Sequence, residues 1–212
     1  MNSFEKMKSG ALYTCDDKEL MAKQTLQLQL LHRYNKTVPL QGKKRERLLK
    51  KLLAEMGEGC YLEPPLHANW GCNTHLGSHV YANFNLTLVD DTDIYIGDYT
   101  MIGPNVTLVT AGHPILPELR LKVAQYNIPV HIGKNVWLGA GVIVLPGVSI
   151  GDNTVIGAGS VVTKNIPAGC VAYGTPCRVI REISQHDREY YYKDRKIDFS
   201  AFPDLTAEDT AQ

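Results

Sequence analysis

Written in groups of six from Ile132, the chain reads IGKNVW, LGAGVI, VLPGVS, IGDNTV, IGAGSV, VTKNIP and AGCVAY. The first position is aliphatic in six of these seven groups, Gly is second in five, and the fifth is small or β-branched in all. The frame continues backwards as LVTAGH from Leu108, IGPNVT from Ile102 and IGDYTM from Ile96. After a two-residue slip it resumes as LGSHVY, ANFNLT and LVDDTD from Leu76, and after another as LEPPLH and ANWGCN from Leu62. A hexapeptide period of this kind is the signature of a parallel β-helix. Each group makes one short strand and one corner, the first and fifth residues point inward, and Gly eases a corner that a side chain would crowd. Three groups close one triangular coil, and stacked coils satisfy one another's backbone groups. A β-sandwich would instead require period-two alternation and hairpin turns. Crossovers between parallel strands are right-handed as a rule; the spacing does not say whether this helix obeys it.

The period breaks once. After Thr110 the chain enters a polar, Pro-rich detour, residues 113–129, opened by His113 and Pro114. A loop leaving a rigid solenoid can wall a pocket that flat coil faces cannot form. Its first residue is a histidine, whose imidazole titrates near neutrality and can take a proton from a hydroxyl.

Residues 1–57 lack the period. Asp16 and Asp17 precede KELMAKQTLQLQLLHRYN, in which Leu20, Leu28, Leu31 and Tyr34 recur at helical spacing. A second segment, KKRERLLKKLLAEMGEG, places Leu48, Leu49, Leu52, Leu53 and Met56 on one stripe and ends at Gly57, a C-cap signal. Two amphipathic helices are expected, with the Lys43 to Lys51 charge run as the solvated face of the second. Residues 58–179 form the β-helix. In residues 180–212, Ile180 and Ile183 are expected to begin a short helix covering the open end of the stack, followed by a loose polar tail after Pro203. The formal net charge of zero removes the simplest electrostatic case for nucleic acid or an acidic membrane. No apolar run reaches the length of a membrane span and no signal core opens the chain, so a cytoplasmic protein is expected. Its five cysteines contain no CxxC pair and are expected to be free thiols.

The stretches YANFNLTLVDDTDIYIGDYTMIGPNVTLVTAGHP, IPVHIGKNVWLGAGVIVLPGVSIGDNTVIGAGSVVTKNIPAGCVAYGTPCRVIREI and LEPPLHANWGCNTHLG resemble the galactoside and maltose O-acetyltransferases. So does the helical segment GALYTCDDKELMAKQTLQLQLLHRYN. The resemblance spans nearly the whole chain. It implies a left-handed helix, a homotrimer with active sites between subunits, acetyl-CoA as donor without a metal, and a sugar hydroxyl, typically the 6-hydroxyl, as acceptor.

On the same resemblance His113 is the general base; Glu118, Glu55 or a backbone carbonyl could orient it. The sugar-binding positions are Asn69, Tyr81, Asn83, Asp91 and one of Asp16 or Asp17, with strict alignment falling on Cys15. Without the resemblance, Asn83 would read as an asparagine ladder and Asp91 as a solvated corner. Ala140, Ala158 and Thr163 match positions contacting the coenzyme. Lys164, Arg178 and Arg181 are cations for its phosphates, and Trp137 would pack beside the thioester or against a neighbouring subunit.

Three rivals use the same scaffold. The γ-type carbonic anhydrases bind zinc through histidines, which brings His75, His79, His113 and His131 into consideration, although their ligand spacing is not evident. A non-enzymatic trimeric scaffold would leave His113 and the basic cluster without a role. Antibiotic-modifying acetyltransferases share the coils and a loop histidine; by resemblance, the helical N-terminal segment favours the sugar enzymes.

Overall fold

The computed structural model describes residues 3–202; the predicted loose tail after Pro203 lies outside the described residues. The strands stack into a three-sided parallel β-helix. The first face carries Glu55–Met56, Thr74–Leu76, Ile94–Ile96, Val130–Ile132 and Ser149–Ile150. The second carries Tyr61–Leu62, Tyr81–Ala82, Met101–Ile102, Trp137–Leu138, Val155–Ile156 and Cys170–Gly174. The third carries His67–Ala68, Thr87–Val89, Thr107–Val109, Ile143–Val144 and Val161–Val162.

The register explains the two slips in the repeat. Leu76 pairs with Ile96, and coils in this part take 20 residues, as in the Ser78–Asp98 contact between them. Ile132 pairs with Ile150, where coils take 18, as in the Lys134–Asp152 contact. The extra pair lengthens the strand on the first face before the frame resumes. First-position residues such as Ile102, Leu138 and Ile156 are buried, and so are fifth-position Thr100, Thr154 and Ser160. Two of these hydroxyls are satisfied inside the coils: Thr100 Oγ1 donates to the Gly133 carbonyl at 2.9 Å and Thr154 Oγ1 to Pro167 at 2.8 Å, while the buried Thr92 hydroxyl has no partner among the described residues. A small hydroxyl residue therefore fits there where a larger polar one would be stranded. The asparagine ladders run along corners with left-handed backbone, Asn85 to Asn105 and Asn135 to Asn153. Asn83 is not among them.

The N-terminal region folds as three helices, α1 (Ser3–Ser9), α2 (Lys18–Asn35) and α3 (Gly42–Leu52). The sequence suggested only the last two. Leu31, Tyr34, Leu48, Leu49 and Leu52 join the same apolar core as the coils. Each such side chain contributes roughly 1.5–3 kcal/mol by leaving water, so the helices are fastened to the coil stack. Leu28, predicted to face inward, is instead exposed, because α2 turns Leu30, Leu31 and Tyr34 to the coil core and Leu20 to a smaller cluster with Met7, Tyr13 and Trp70. The charge run of α3 is solvated except for Arg45, which is buried against Thr37 and Tyr61.

Two expected ends differ. The second helix does not close on Gly57 but stops at Leu52, because Ala54 and Gly57 already donate to the Thr74 and Leu76 carbonyls of the next coil. Gly57 serves stacking: a Cβ there would lie 2.5 Å from Ser78 Oγ. At the other end, Ile180 lies in a strand, Cys177–Glu182, that folds back antiparallel on Cys170–Gly174 and pairs its edge. The C-terminal helix starts later, at Gln185, behind a Ser184–Asp187 capping box. Backbone pairing along that edge outweighed the helical spacing of Ile180 and Ile183. No helix among the described residues is long and apolar enough to cross a membrane.

Candidate active site

The chain visits the first, second and third faces in turn. The excursion leaves after Thr107–Val109 on the third face and returns at Val130 on the first. It therefore projects from the edge opposite the second face. Its two arms, Ala111–Gly112 and Ala124–Asn127, pair antiparallel, and Tyr13–Thr14 adds a third strand beside Ala124–Asn127. Gly112 leaves room for Tyr126, since a Cβ there would lie 2.7 Å from the end of that ring.

This small sheet aims His113. Its Nδ1 lies 2.8 Å from the Ala124 carbonyl oxygen. A carbonyl only accepts, so Nδ1 carries the proton and Nε2 presents its lone pair. Neither Glu118 nor Glu55 does the orienting; Glu55 lies by His75 instead. Next to Ala124, Gln125 is buried and lines a cavity of about 210 Å³ with Tyr13, Cys15, Trp70 and Asp91. Asp91 is not a solvated corner: it is buried, and accepts from Asn69 Nδ2 at 2.7 Å and Trp70 Nε1 at 3.4 Å. Asp90, also buried, accepts from the Trp70 amide at 2.8 Å and the Thr74 hydroxyl at 3.2 Å. Burial, with the Asp91 charge adding, pushes its carboxyl up to about 7.

Of the three N-terminal candidates, Cys15 lines the cavity, its amide donating to the Val123 carbonyl. Asp17 is the N-cap of α2, accepting from Glu19 and Leu20 amides and from Ser3 Oγ. Asp16 is exposed beside Cys15. The acidic pair that precedes a helix thus splits, and capping holds Asp17 away from the cavity.

The second cluster of predicted residues lies on the second face. Tyr81, Asn83, Trp137, Ala140 and Ala158 line one groove of about 440 Å³ with Met101. Trp137 is 56% exposed, so it forms a wall of the groove rather than core. Thr163 and Lys164 do not line the groove; they are exposed at the corner that follows the third-face strand Val161–Val162. Arg178 bonds the Cys177 carbonyl. Arg181 forms a two-pronged pair with Asp187 at 2.5 and 2.7 Å, which holds that carboxyl down to about 2, so its charge is already answered within the chain.

Sequence reasoning missed a buried polar trio. Gln125 Nε2 donates to the Tyr13 hydroxyl at 2.8 Å, and Asn127 Nδ2 donates to it at 3.1 Å and to the Met7 carbonyl at 2.9 Å. Burial pushes the Tyr13 phenol up to about 12. The partners are 112 or more residues apart in sequence, so no local pattern marks them. Tyr13→Phe is expected to cost about 1–3 kcal/mol, because two amides lose their common acceptor. Thermal melting should show Tm falling by several degrees; an unchanged Tm would mean the trio does not fasten the N-terminal strand.

Residues 6–57 match the maltose acetyltransferase hexapeptide capping motif, and 129–164 match the bacterial transferase hexapeptide repeat. A galactoside O-acetyltransferase of Lactococcus lactis subsp. lactis is 52% identical over 203 residues, covering 95% of this chain and 98% of that protein. The chain belongs to the galactoside and maltose O-acetyltransferase family. Among solved structures, a galactoside acetyltransferase in complex with coenzyme A superposes on this family member with a TM-score of 0.90 at 47% identity, covering 93% of this chain and 99% of that one. A maltose O-acetyltransferase from Clostridium difficile superposes with a TM-score of 0.85 at 43% identity, covering 87% and 98%. The chain is an acetyltransferase of this family. Among its described residues no group of three His, Cys, Asp or Glu side chains is arranged to hold a metal ion. His75 and His131 stack on either side of Tyr95, and His79 stacks on Tyr99.

Proposed function

We propose that this acetyltransferase moves the acetyl group of acetyl-CoA to a sugar hydroxyl, the 6-hydroxyl of a galactoside, maltose or glucose, with His113 as general base. The observation that carries the reading is the His113 imidazole, tied at Nδ1 to the Ala124 carbonyl and open at Nε2. The hydroxyl oxygen attacks the thioester carbonyl carbon while Nε2 takes its proton. The C–S bond then breaks, and the imidazolium returns the proton to the leaving sulfur, so coenzyme A departs as the thiol. Asp91, with Asn69 beside it and either Asp16 or Cys15 at the rim, receives the sugar hydroxyls. Tyr81 and Asn83 complete the acceptor site from the second face. Trp137, Ala140 and Ala158 line the coenzyme groove, and Thr163, Lys164, Arg178 and Arg181 are the partners proposed for its phosphate end.

The loop leaves from the edge opposite the groove, which puts the two halves on different sides of one chain. We therefore propose a homotrimer in which His113 of one copy faces the second face of the next. A closed ring of three repeats the same contact without leaving an open surface. The five free cysteines accord with a cytoplasmic setting.

A thiol-release assay with acetyl-CoA tests the reading against a thiogalactoside, maltose, glucose and a non-sugar alcohol. Sugar-dependent release is expected, and the best acceptor chooses among the sugars. Release with the alcohol alone, or none with any sugar from protein that binds coenzyme A, sinks the sugar assignment.

A further inference from the structure

We propose that Asp90 is a positioning residue for the acceptor: its buried carboxyl pins the turn from Asn69 to Thr74, so that Asn69 and Trp70 hold the Asp91 carboxylate in the cavity. This rests on the reading of Asp91 as an acceptor contact.

Asp90 occupies the third position of its group of six, a corner position. That position faces solvent at Lys134, Ala140 and Lys164, whereas in the column of Trp70, Asp90 and Thr110 it is buried. Asp90 is fully buried. An acid placed only to fill space is replaced by an apolar side chain at no loss, so its polar contacts should explain it. All of them run to one turn on the preceding coil. Oδ1 accepts from the Trp70 amide at 2.8 Å, Oδ2 from Thr74 Oγ1 at 3.2 Å, and the Asp90 backbone carbonyl from Asn73 Nδ2 at 2.8 Å.

That turn carries both side-chain donors to Asp91, Asn69 Nδ2 on one oxygen and Trp70 Nε1 on the other. A carboxylate has about four lone-pair sites. With one donor on each oxygen, its orientation is set and lone pairs remain for hydroxyl donors in the cavity that Asp91 lines. Asp91 is therefore held by the preceding coil, and Asp90 holds that coil's turn in place. The same corner releases the excursion: Thr110, the next third-position residue in this column, is buried and bonds the Val89 carbonyl. Acceptor contact and catalytic base thus spring from one pinned edge of the prism.

The test is steady-state kinetics with acetyl-CoA and methyl β-thiogalactoside. Asp90→Ala should raise the acceptor KM by more than about tenfold, with kcat at saturating acceptor and the acetyl-CoA KM within about threefold of wild type. Asp90→Asn retains an oxygen for the Trp70 amide and should bring the acceptor KM back to within about threefold of wild type. In an Asp91→Ala background, Asp90→Ala should add no further rise, since the two act through one contact. Should Asp90→Ala not fold, Thr74→Val removes one anchor alone and should raise the acceptor KM about threefold, again with no further effect on Asp91→Ala. A wild-type acceptor KM in Asp90→Ala, or an equal added rise in the Asp91→Ala background, overturns the inference while Asp91 itself still matters. If Asp91→Ala leaves the acceptor KM unchanged, the reading of Asp91 fails, and this inference with it.

Discussion

Replacing His113 with alanine is expected to lower kcat by about 10²–10⁴-fold, the range that a positioned general base supplies. The acetyl-CoA KM should stay close to wild type, because no residue of the loop is among those lining the groove. The fold should be unaffected as well. His113 is exposed, and its ring bonds the Ala124 carbonyl, a group that water can satisfy once the imidazole is gone. His113→Asn is the informative companion: its amide can still donate toward Ala124, but it has no basic nitrogen to take a proton. Both variants should therefore be equally slow. Single-turnover thiol release with saturating acetyl-CoA measures this directly. Near-wild-type turnover in either variant would remove His113 from the mechanism.

A mixture of two inactive variants should regain activity. His113→Ala lacks the base, and Ala140→Trp fills the groove from an exposed position on the second face. If each site takes its histidine from one copy and its groove from the next, a mixed trimer contains one intact site. Random reassembly of equal amounts should then restore about a quarter of the wild-type sites. The mixture must be unfolded and refolded together, and the separately refolded variants serve as the baseline. Recovery well above that baseline requires a site built from two copies. A mixture that stays as inactive as its parts would mean that each chain carries a whole site, contrary to the placement of the loop opposite the groove.

The residues differ in how much of this they disclose alone. The period of six from Leu62 to Tyr173 specifies a coil stack, because inward aliphatics and small corners repeat at a spacing that suits no other fold. Its single break marks the loop, and the Gly112–His113–Pro114 step marks where to look. Groove residues such as Ala140 and Ala158 fall at equivalent places in the repeat, so locating one locates the other. The N-terminal acidic pair was only half legible. Asp17 has the chemistry of a sugar contact and that of a helix cap, and the start of α2 claimed it for capping.

The periodic part is thus legible in the chain alone: the parallel β-helix, its interruption and the histidine at the break. These follow from local spacing, which each coil repeats. The tertiary structure alone decided which carbonyl orients His113, how Tyr13, Gln125 and Asn127 lock the first residues of the chain to the loop, and that Asp90 and Trp70 stand behind Asp91. Those contacts join residues on different coils or at opposite ends of the chain, and a hydrogen bond depends on where two atoms meet in space, which no repeat along the sequence records.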